Sequence, residues 1–489
     1  MNTEKVGVIV VGGGSAAFEA AVSARQNGAE KVVMLEKAPE PEFGGNARFS
    51  HTGFRFVHSG AAEVREFLPD LDESTFRLMH IPPYTKVDFM ADLKRVTQNR
   101  INQELAETLV NESNEAVHWM SDVGIKWEPA NFVVVDGRHY FEPGIVIHTV
   151  GGGQGQLLRW REIATRMGIE IRYESRVHAL LGNDRRIEAV GVSNPTGEYD
   201  LLADAVILCS GGFQANTEMR ARYLGPNADL MKVRGSKHNT GEVLHLALAL
   251  GAKSSGHWQG AHATPIDAKA PDFESPLRSD GRGNSANRYS YQYGITVNSL
   301  GQRFFDEGEA HHSYTYAKTG WAVLGQPGGV AYQIFDQKGI RLLRKDRYSA
   351  EDAIEASSIA ELARKVGIEP AVLAHTVDEF NRAVRETVNF DPTKPDGKCT
   401  ADLNPRKSNW ANQIDEPPFR AYAVTGGITF TFGGLEVNRS AQVINTSGEP
   451  IRGLYASGDI LGLFYHNYPS CTGQTRNVVF GRLAGKNCL

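Results

Sequence analysis

Residues 6–37 read VGVIVVGGGSAAFEAAVSARQNGAEKVVMLEK. An apolar run from Val6 to Val11 meets Gly12, Gly13 and Gly14. An alanine-rich stretch with helical spacing follows, at Ala16, Ala17, Ala20, Ala21 and Ala24, and stops near Gly28. A second apolar run, Lys31 to Leu35, closes on Glu36, about twenty positions after the glycines. The order is strand, turn, helix, strand, acid. Gly12 permits the tight turn, Gly14 lets the backbone approach a pyrophosphate, and Ala17 takes the third small position, where helix packs on strand. The helix start at Ser15 and Ala16 presents unpaired N–H groups and partial positive charge to phosphates. Glu36 is placed to accept hydrogen bonds from a ribose. A bare βα turn explains the glycines alone; the full set points to a dinucleotide.

At 489 residues and 41% hydrophobic content, the chain is long enough for two domains and a real core. The formal charge of −5 and pI near 6.3 provide no basic field, no Lys/Arg block stands out, and no nucleic-acid role is expected. Cys209, Cys399, Cys471 and Cys488 form no CxxC pair and no metal-ligand spacing, so ordinary reduced thiols and no metal are expected. MNTEK leads straight into the first strand and no apolar run reaches about 18 residues. The expectation is a cytoplasmic protein without direct membrane insertion.

Downstream, PEPEFGGNARFSHTGFRF has ligand-facing character, with Gly44, Gly45, Asn46 and Ala47 bringing backbone close to a bound group. Residues 101–123 have helical apolar period and stop at Gly124. A second glycine cluster, Gly151 to Gly155, lacks a clear feeding strand and reads as packing. Runs at 169–173, 177–181 and 187–192 suggest an antiparallel meander beside a parallel sheet. LLADAVILCSGGF is a buried strand ending at Ser210 and Gly211, and Asn239, Thr240 and Gly241 open another helix. From about His257 the texture becomes polar and aromatic. Within it, Val330 to Phe335 reads as a strand, Ser358 with Glu361 as a capping box, and Pro370 as a helix start.

The ordered set VGGGSAAFEA with Glu36, GGN, CSGGF, NTGE and LYASGD resembles flavoproteins of the fumarate reductase and succinate dehydrogenase superfamily over nearly the whole chain. RYSYQYGITVN, RFFDEG, SYTYAK, GITFTFGG and FYHNYP look most like tricarballylate dehydrogenase, and NYP is shared with 3-ketosteroid dehydrogenases. The resemblance implies FAD, with Glu36 and Lys37 at the adenosine ribose and the Val177 backbone near adenine. It further implies Gly458 and Asp459 at the ribityl chain, and the helix start at Thr472, Gly473 and Thr475 against the flavin pyrimidine. A helix N-terminus there stabilises the anionic reduced flavin. The covalent flavin histidine of succinate dehydrogenases falls in register with Asn46, not with His51, so non-covalent FAD is expected.

The departures from the family bear on the substrate. His311 and His312 stand where fumarate reductases place an arginine acid, and Thr429 or Phe430 stands where they have a histidine. Tyr468 replaces a carboxylate-binding arginine, and Ser470 with Cys471 replaces a glycine pair. Oxidising a CH–CH unit beside a carbonyl or carboxylate needs a proton acceptor and donors for the enolate oxygen. His312, or its neighbour His311, is the candidate base. Tyr468 with a backbone N–H near Thr472 is the candidate oxyanion pair. Arg288 is the remaining candidate carboxylate clamp, with His262 and Thr429 lining the pocket.

The expected fold is α/β, a Rossmann-type FAD-binding domain with a central parallel sheet and antiparallel meander, formed by residues 1–256 and 420–489. An inserted α+β capping domain spans 257–419. The expected reaction is dehydrogenation or reduction of a carbon–carbon bond in a small-molecule substrate, tricarballylate dehydrogenase-like. An iron–sulfur protein, a quinone or oxygen would serve as electron partner. A ketosteroid-dehydrogenase-like or ene-reductase activity on a cyclic enone is the rival, and a flavin-binding redox sensor or assembly partner without turnover is the second. No nicotinamide site follows the first motif, which argues against an NAD-only dehydrogenase.

Overall fold

The computed structural model describes residues 4–278 and 283–489. Residues 1–3, and positions 279–282 of the polar stretch after His257, lie outside the described residues.

Strand β1 (Glu4–Val11) is apolar on both faces because it is central, and such strands read as continuous hydrophobic runs. It pairs in parallel with β2 (Val32–Leu35) on one side and with Gly197–Leu208 on the other. Strand Glu170–Arg172 extends the parallel sheet beyond β2, and Pro450–Ala456 extends it beyond Gly197–Leu208. Val11, Leu35 and Leu208 lie level in register, so the three strands end together and open a crevice at their carboxyl ends. The meander is present as Arg176–Asn183, Arg186–Asn194 and Gly197–Leu208. The 169–173 run, expected to be its first strand, joins the parallel edge instead: its partner is β2, and the turn at Glu174 (φ +50°) separates it from the meander.

Helix α1 (Ser15–Gln26) is buried from Ser15 to Ala24. Its alanines admit the helix Thr472–Asn487 at backbone distance; a Cβ at Gly485 would stand 2.4 Å from the Ala20 carbonyl oxygen. The second glycine cluster is packing: a Cβ at Gly153 would lie 1.8 Å from the Ala47 carbonyl oxygen, so glycine there seats the 45–49 segment.

Within α1, Glu19 is fully buried and neither carboxylate oxygen has a hydrogen-bond partner. Burial pushes its carboxyl well above the ordinary value of 4.5. The neutral form is therefore the folded form. Below pH 4.5 both states are neutral and burial carries no ionisation penalty. As pH rises, the unfolded chain ionises first and stability falls, by about 1.4 kcal/mol per pH unit until the folded group also titrates. Chemical denaturation of Glu19→Gln across pH 4.5 to 8 is expected to lack this slope and to show a stability advantage that widens with pH. Parallel wild-type and variant curves would exclude an ionisable burden at Glu19.

A second sheet carries the cap. Its order is Lys232–Val233, Phe419–Thr431, Val330–Phe335 and Ile295–Asn298, with Ala261–Asp267 and Ile354–Ala356 also pairing with Phe419–Thr431. The sequence boundary at 419/420 thus cuts a strand whose partners all lie in this sheet. Alternation of polar and apolar residues does not reveal which sheet a buried strand joins. Helix Ile359–Val366 starts at Ser358, whose hydroxyl accepts from the Glu361 N–H, while the Glu361 carboxylate reaches back to Ser357; it ends at Gly367. Helix Pro370–Ala383 follows as expected.

Candidate active site

One cavity begins at the β1 carboxyl end and runs to the second sheet. At its inner end the lining is Gly12, Gly14, Ser15, Ala16, Glu36 and Lys37, then Gly45, Asn46 and Ala47. Val177, Ser210, Gly211, Asn239, Thr240 and Gly241 form the opposite wall, and Gly458, Asp459 and Gly473 continue it. Two observations show that this wall fits FAD. The helices starting at Ser15 and Thr472 lack a side-chain cap at Gly14 and Cys471, and residues of both first turns face the one cavity. Gly12 (φ +127°) touches the Cys209 carbonyl where any Cβ would collide at 2.4 Å, so the turn can only be backbone.

Glu36 is 7% exposed. Burial raises its carboxyl, opposed by N–H donation from Ala38 at 2.7 Å and from Gly13, and the acid stands at the end of β2. Lys37 donates to the Thr240 hydroxyl at 2.7 Å, tying the ribose side to the NTG turn. Asp459 is ion-paired with the buried Arg476, whose guanidinium lies over Phe430 and Phe464.

At the cap end the structure places the expected residues unequally. His312 lines the cavity, and its Nε2 pairs with the Glu142 carboxylate at 3.2 Å. Burial opposes ionisation of Glu142, but the neighbouring His312, which also hydrogen-bonds it, and then Arg344 outweigh it and hold the carboxyl below the usual range. His311 does not line the cavity. Its Nδ1 lies 2.8 Å from the Ser313 hydroxyl, and burial with the adjacent His312 pushes it down to about 3. Glu142, His311 and His312 bring ligand-type atoms within 4.8 Å of one another; the His312–Glu142 pair accounts for that proximity without an ion.

Tyr468 lines the cavity with its hydroxyl 2.6 Å from that of Tyr316, and burial raises both phenols. Thr429 lines it too, accepting from Arg234 Nε at 2.8 Å and lying 2.6 Å from His262 Nδ1. His262 itself sits beneath the wall, fully buried and stacked on Phe430, and burial keeps it neutral. His51 lines the cavity and stacks on His148.

Besides His262, which lies beneath the wall rather than in it, other expected residues point elsewhere. Arg288 is no clamp: it is 1% exposed, away from the cavity lining, and spends its guanidinium on Asp267, on Asp352 at 3.1 Å, and on backbone carbonyls. Gly44 (φ +109°) serves packing, because a Cβ there would enter Leu157. The Thr475 hydroxyl donates to the Arg55 carbonyl at 2.7 Å and is turned from the cavity. Thr472 is fully buried with its side chain outside the lining, so at this position only the backbone of the helix start can face a bound group.

Sequence reasoning missed Arg234, Arg344, Arg347, Glu142, Tyr289 and Tyr316, all of which line the cavity. Arg234 Nη1 donates to Tyr289 at 2.7 Å and to Asn287 at 3.0 Å, and among the described residues no carboxylate lies within ion-pair distance of it. Arg347 lies 4.9 Å over the Tyr289 ring with Asp346 3.7 Å from its Nε; burial, then Arg344 and Arg234, push it down to about 10. Arg344 pairs with Asp346 at 3.0 Å. Two of these arginines stand in RLLRKDR at 341–347, a basic concentration that the reading of evenly spread charge passed over. Glu142 left no signal, since an acid before a Pro-Gly turn is ordinary loop chemistry.

The profile of the FAD binding domain family matches residues 7–474. A fumarate reductase (cytochrome) of Shewanella frigidimarina is 29% identical over 493 residues, spanning 99% of this chain and 77% of that protein. A flavocytochrome c3 fumarate reductase, solved in its open conformation, is similar with a TM-score of 0.72 and 26% identity, over 99% of this chain and 78% of that one. The 3-ketosteroid delta1-dehydrogenase of Sterolibacterium denitrificans has a TM-score of 0.73 at 19% identity over 99% of each chain, a likeness of fold. With the glycine turn, the acid at the end of β2 and two open helix starts on one cavity, these matches make the chain a member of the FAD binding domain family, an FAD-dependent oxidoreductase of carbon–carbon bonds in the fumarate reductase and succinate dehydrogenase flavoprotein superfamily.

Proposed function

We propose that the chain exchanges hydride between non-covalent FAD and a CH–CH or C=C unit beside a carboxylate, on a polycarboxylate of the tricarballylate type. The observation that carries this reading is the pair Arg234 and Arg347. Both touch Tyr289 at the cavity and repel one another; among the described residues Arg234 has no carboxylate partner, and Asp346, 3.7 Å from Arg347, is shared with Arg344 and Arg278. Like charges facing one partly dry cleft favour an anionic occupant.

FAD, when bound, supplies the hydride chemistry at its N5 position. The chain's own groups do the rest. Arg234 and Arg347 hold a carboxylate and stabilise negative charge that grows on it as the adjacent carbon loses its proton. His312 takes that proton through Nδ1, the nitrogen left by the Glu142 pair, and Glu142 stabilises the imidazolium. The buried Tyr316–Tyr468 pair donates toward a second oxygen of the substrate. In the reducing direction His312 returns the proton. Electrons pass to or from a separate partner, an iron–sulfur protein, a quinone or oxygen. Among the described residues no helix is long and apolar enough to cross a membrane.

The same tyrosine pair favours a second reading, in which two hydroxyls polarise the carbonyl of a cyclic enone. Anaerobic titration of the holoenzyme separates the two. Tricarballylate or succinate is expected to bleach the flavin, and a 3-ketosteroid is not. Bleaching by the steroid alone would move the assignment to the enone, and bleaching by neither would leave a flavoprotein without turnover. Acid precipitation of the same preparation is expected to release all the flavin.

A further inference from the structure

Asp92, on the helix Lys86–Val96, is far from the cavity lining in sequence and role, yet it collects an unusual set of donors. Its Oδ2 accepts from the Tyr84 hydroxyl at 2.7 Å, the Tyr314 hydroxyl at 2.8 Å and Arg55 Nη1 at 3.0 Å. Its Oδ1 accepts from Arg95 at 2.7 Å, and the Arg95 guanidinium lies 4.1 Å over the Tyr314 ring. Arg55 is fully buried, and its Nε donates to the Ser470 carbonyl at 3.0 Å.

Apart from the Arg95 bond, which stays within the helix, these bonds join separate parts of the chain. Tyr314 closes the short 3-10 turn His312–Tyr314 in the cap. Ser470 belongs to the NYPS turn that carries Tyr468. The two turns are also bonded directly, since the Ser470 N–H donates to the Ser313 carbonyl at 2.9 Å and Asn467 donates to the Tyr314 carbonyl. Asp92 and Arg55 therefore hold one side-chain clasp on the two turns that carry His312 and Tyr468.

We propose that Asp92 and Tyr314 are positioning residues: their clasp docks the cap turn against the NYPS turn and so sets His312 relative to Tyr468. This rests on the assignment of His312 as the base. The clasp is charge-assisted and only 14% exposed at Asp92, which makes its bonds stronger than surface contacts. At Asp92 and Tyr314 its bonds run between side chains. Loss of one hydroxyl leaves the folding core and the FAD wall untouched, while the two turns gain freedom. Misplacement of a proton acceptor by about 1 Å is enough to cost roughly 10²-fold in rate.

The test uses the FAD-loaded protein with Tyr314→Phe, Asp92→Asn and the double variant. Hydrogen exchange of the segments 310–316 and 467–471, which needs no substrate, is expected to speed up in both single variants while exchange in α1 stays at wild-type level. With whichever compound of the titration panel bleaches the flavin, the maximal rate is expected to fall about 10- to 100-fold with little change in KM. The double variant is expected to be no slower than the worse single variant, because both act through one contact. Wild-type exchange and wild-type rate in Tyr314→Phe would overturn the clasp, as would losses that multiply in the double variant. If Asp92→Asn fails to fold, Tyr314→Phe alone still decides. Faster exchange with no substrate found on the panel would support the clasp while refuting the polycarboxylate assignment, so the two readings fail separately.

Discussion

Replacing His312 with alanine is expected to slow flavin reduction by about 10²–10⁴, with the flavin spectrum and FAD affinity unchanged. The histidine belongs to the cap end of the cavity, and none of the glycine-turn or ribose-side groups bonds to it. Stopped-flow absorbance of the holoenzyme under anaerobic conditions measures the step directly. Two companions sharpen the result. Glu142→Gln should cost less than His312→Ala, since it removes the charge that stabilises the imidazolium but leaves a proton acceptor in place. His311→Asn should cost least, because a ring pushed down to about 3 has little driving force for taking a proton. A His312→Ala variant that reduces its flavin at the wild-type rate would exclude this base and return the role to Tyr468 or Tyr316.

The second large effect concerns Arg234. Arg234→Met keeps much of the side-chain volume and removes the charge. Binding of tricarballylate or fumarate to the oxidised holoenzyme, followed by calorimetry or by the shift in flavin absorbance, is expected to weaken by about 1.5–3 kcal/mol, roughly 10- to 150-fold in Kd. A neutral enone should bind both forms alike. This reverses part of what the sequence suggests. The histidine pair and Tyr468 in place of two family arginines predict slow fumarate turnover, because the family positions for charged donors are vacated. The structure brings other arginines to the same cavity from a loop before the NTG turn and from the 341–347 run. Fumarate reduction at ordinary enzymatic rates that collapses in Arg234→Met would show that the charge was relocated rather than lost. Equal binding to wild type and variant would remove Arg234 from substrate recognition.

The flavin half was legible in the sequence because its requirements are local. A glycine turn, a helix start and an acid at the end of the next strand are fixed by spacing along one βαβ unit, and the register of β1 and β2 follows from their apolar runs. The catalytic half was legible only at single positions. His312 and Tyr468 could be singled out by motif, but Glu142 meets His312 from 170 positions away, and Arg234 meets Thr429, which in turn meets His262 on the neighbouring strand of the second sheet. Arg288 shows the converse. Its setting beside YSY suggested a clamp, yet Asp267 and Asp352 neutralise it in the cap interior. An arginine's freedom to bind a ligand depends on which carboxylates the fold brings to it, and that is not written near the arginine.

The close packing of α1 on the helix Thr472–Asn487 bears on how the protein is made. The Ser23 hydroxyl donates to the Arg482 carbonyl, a contact that spans 459 positions, and Gly481 and Gly485 let the two backbones touch. The glycine turn is far along the chain from its partner strand Gly197–Leu208, and farther still from Gly458, Asp459 and the helix start at Thr472. Loops of that length close slowly, and until the first of them closes β1 has only β2 beside it. Cofactor capture therefore waits on the segment after residue 450, because Gly458, Asp459 and the helix start at Thr472 complete the wall that the first βαβ unit begins.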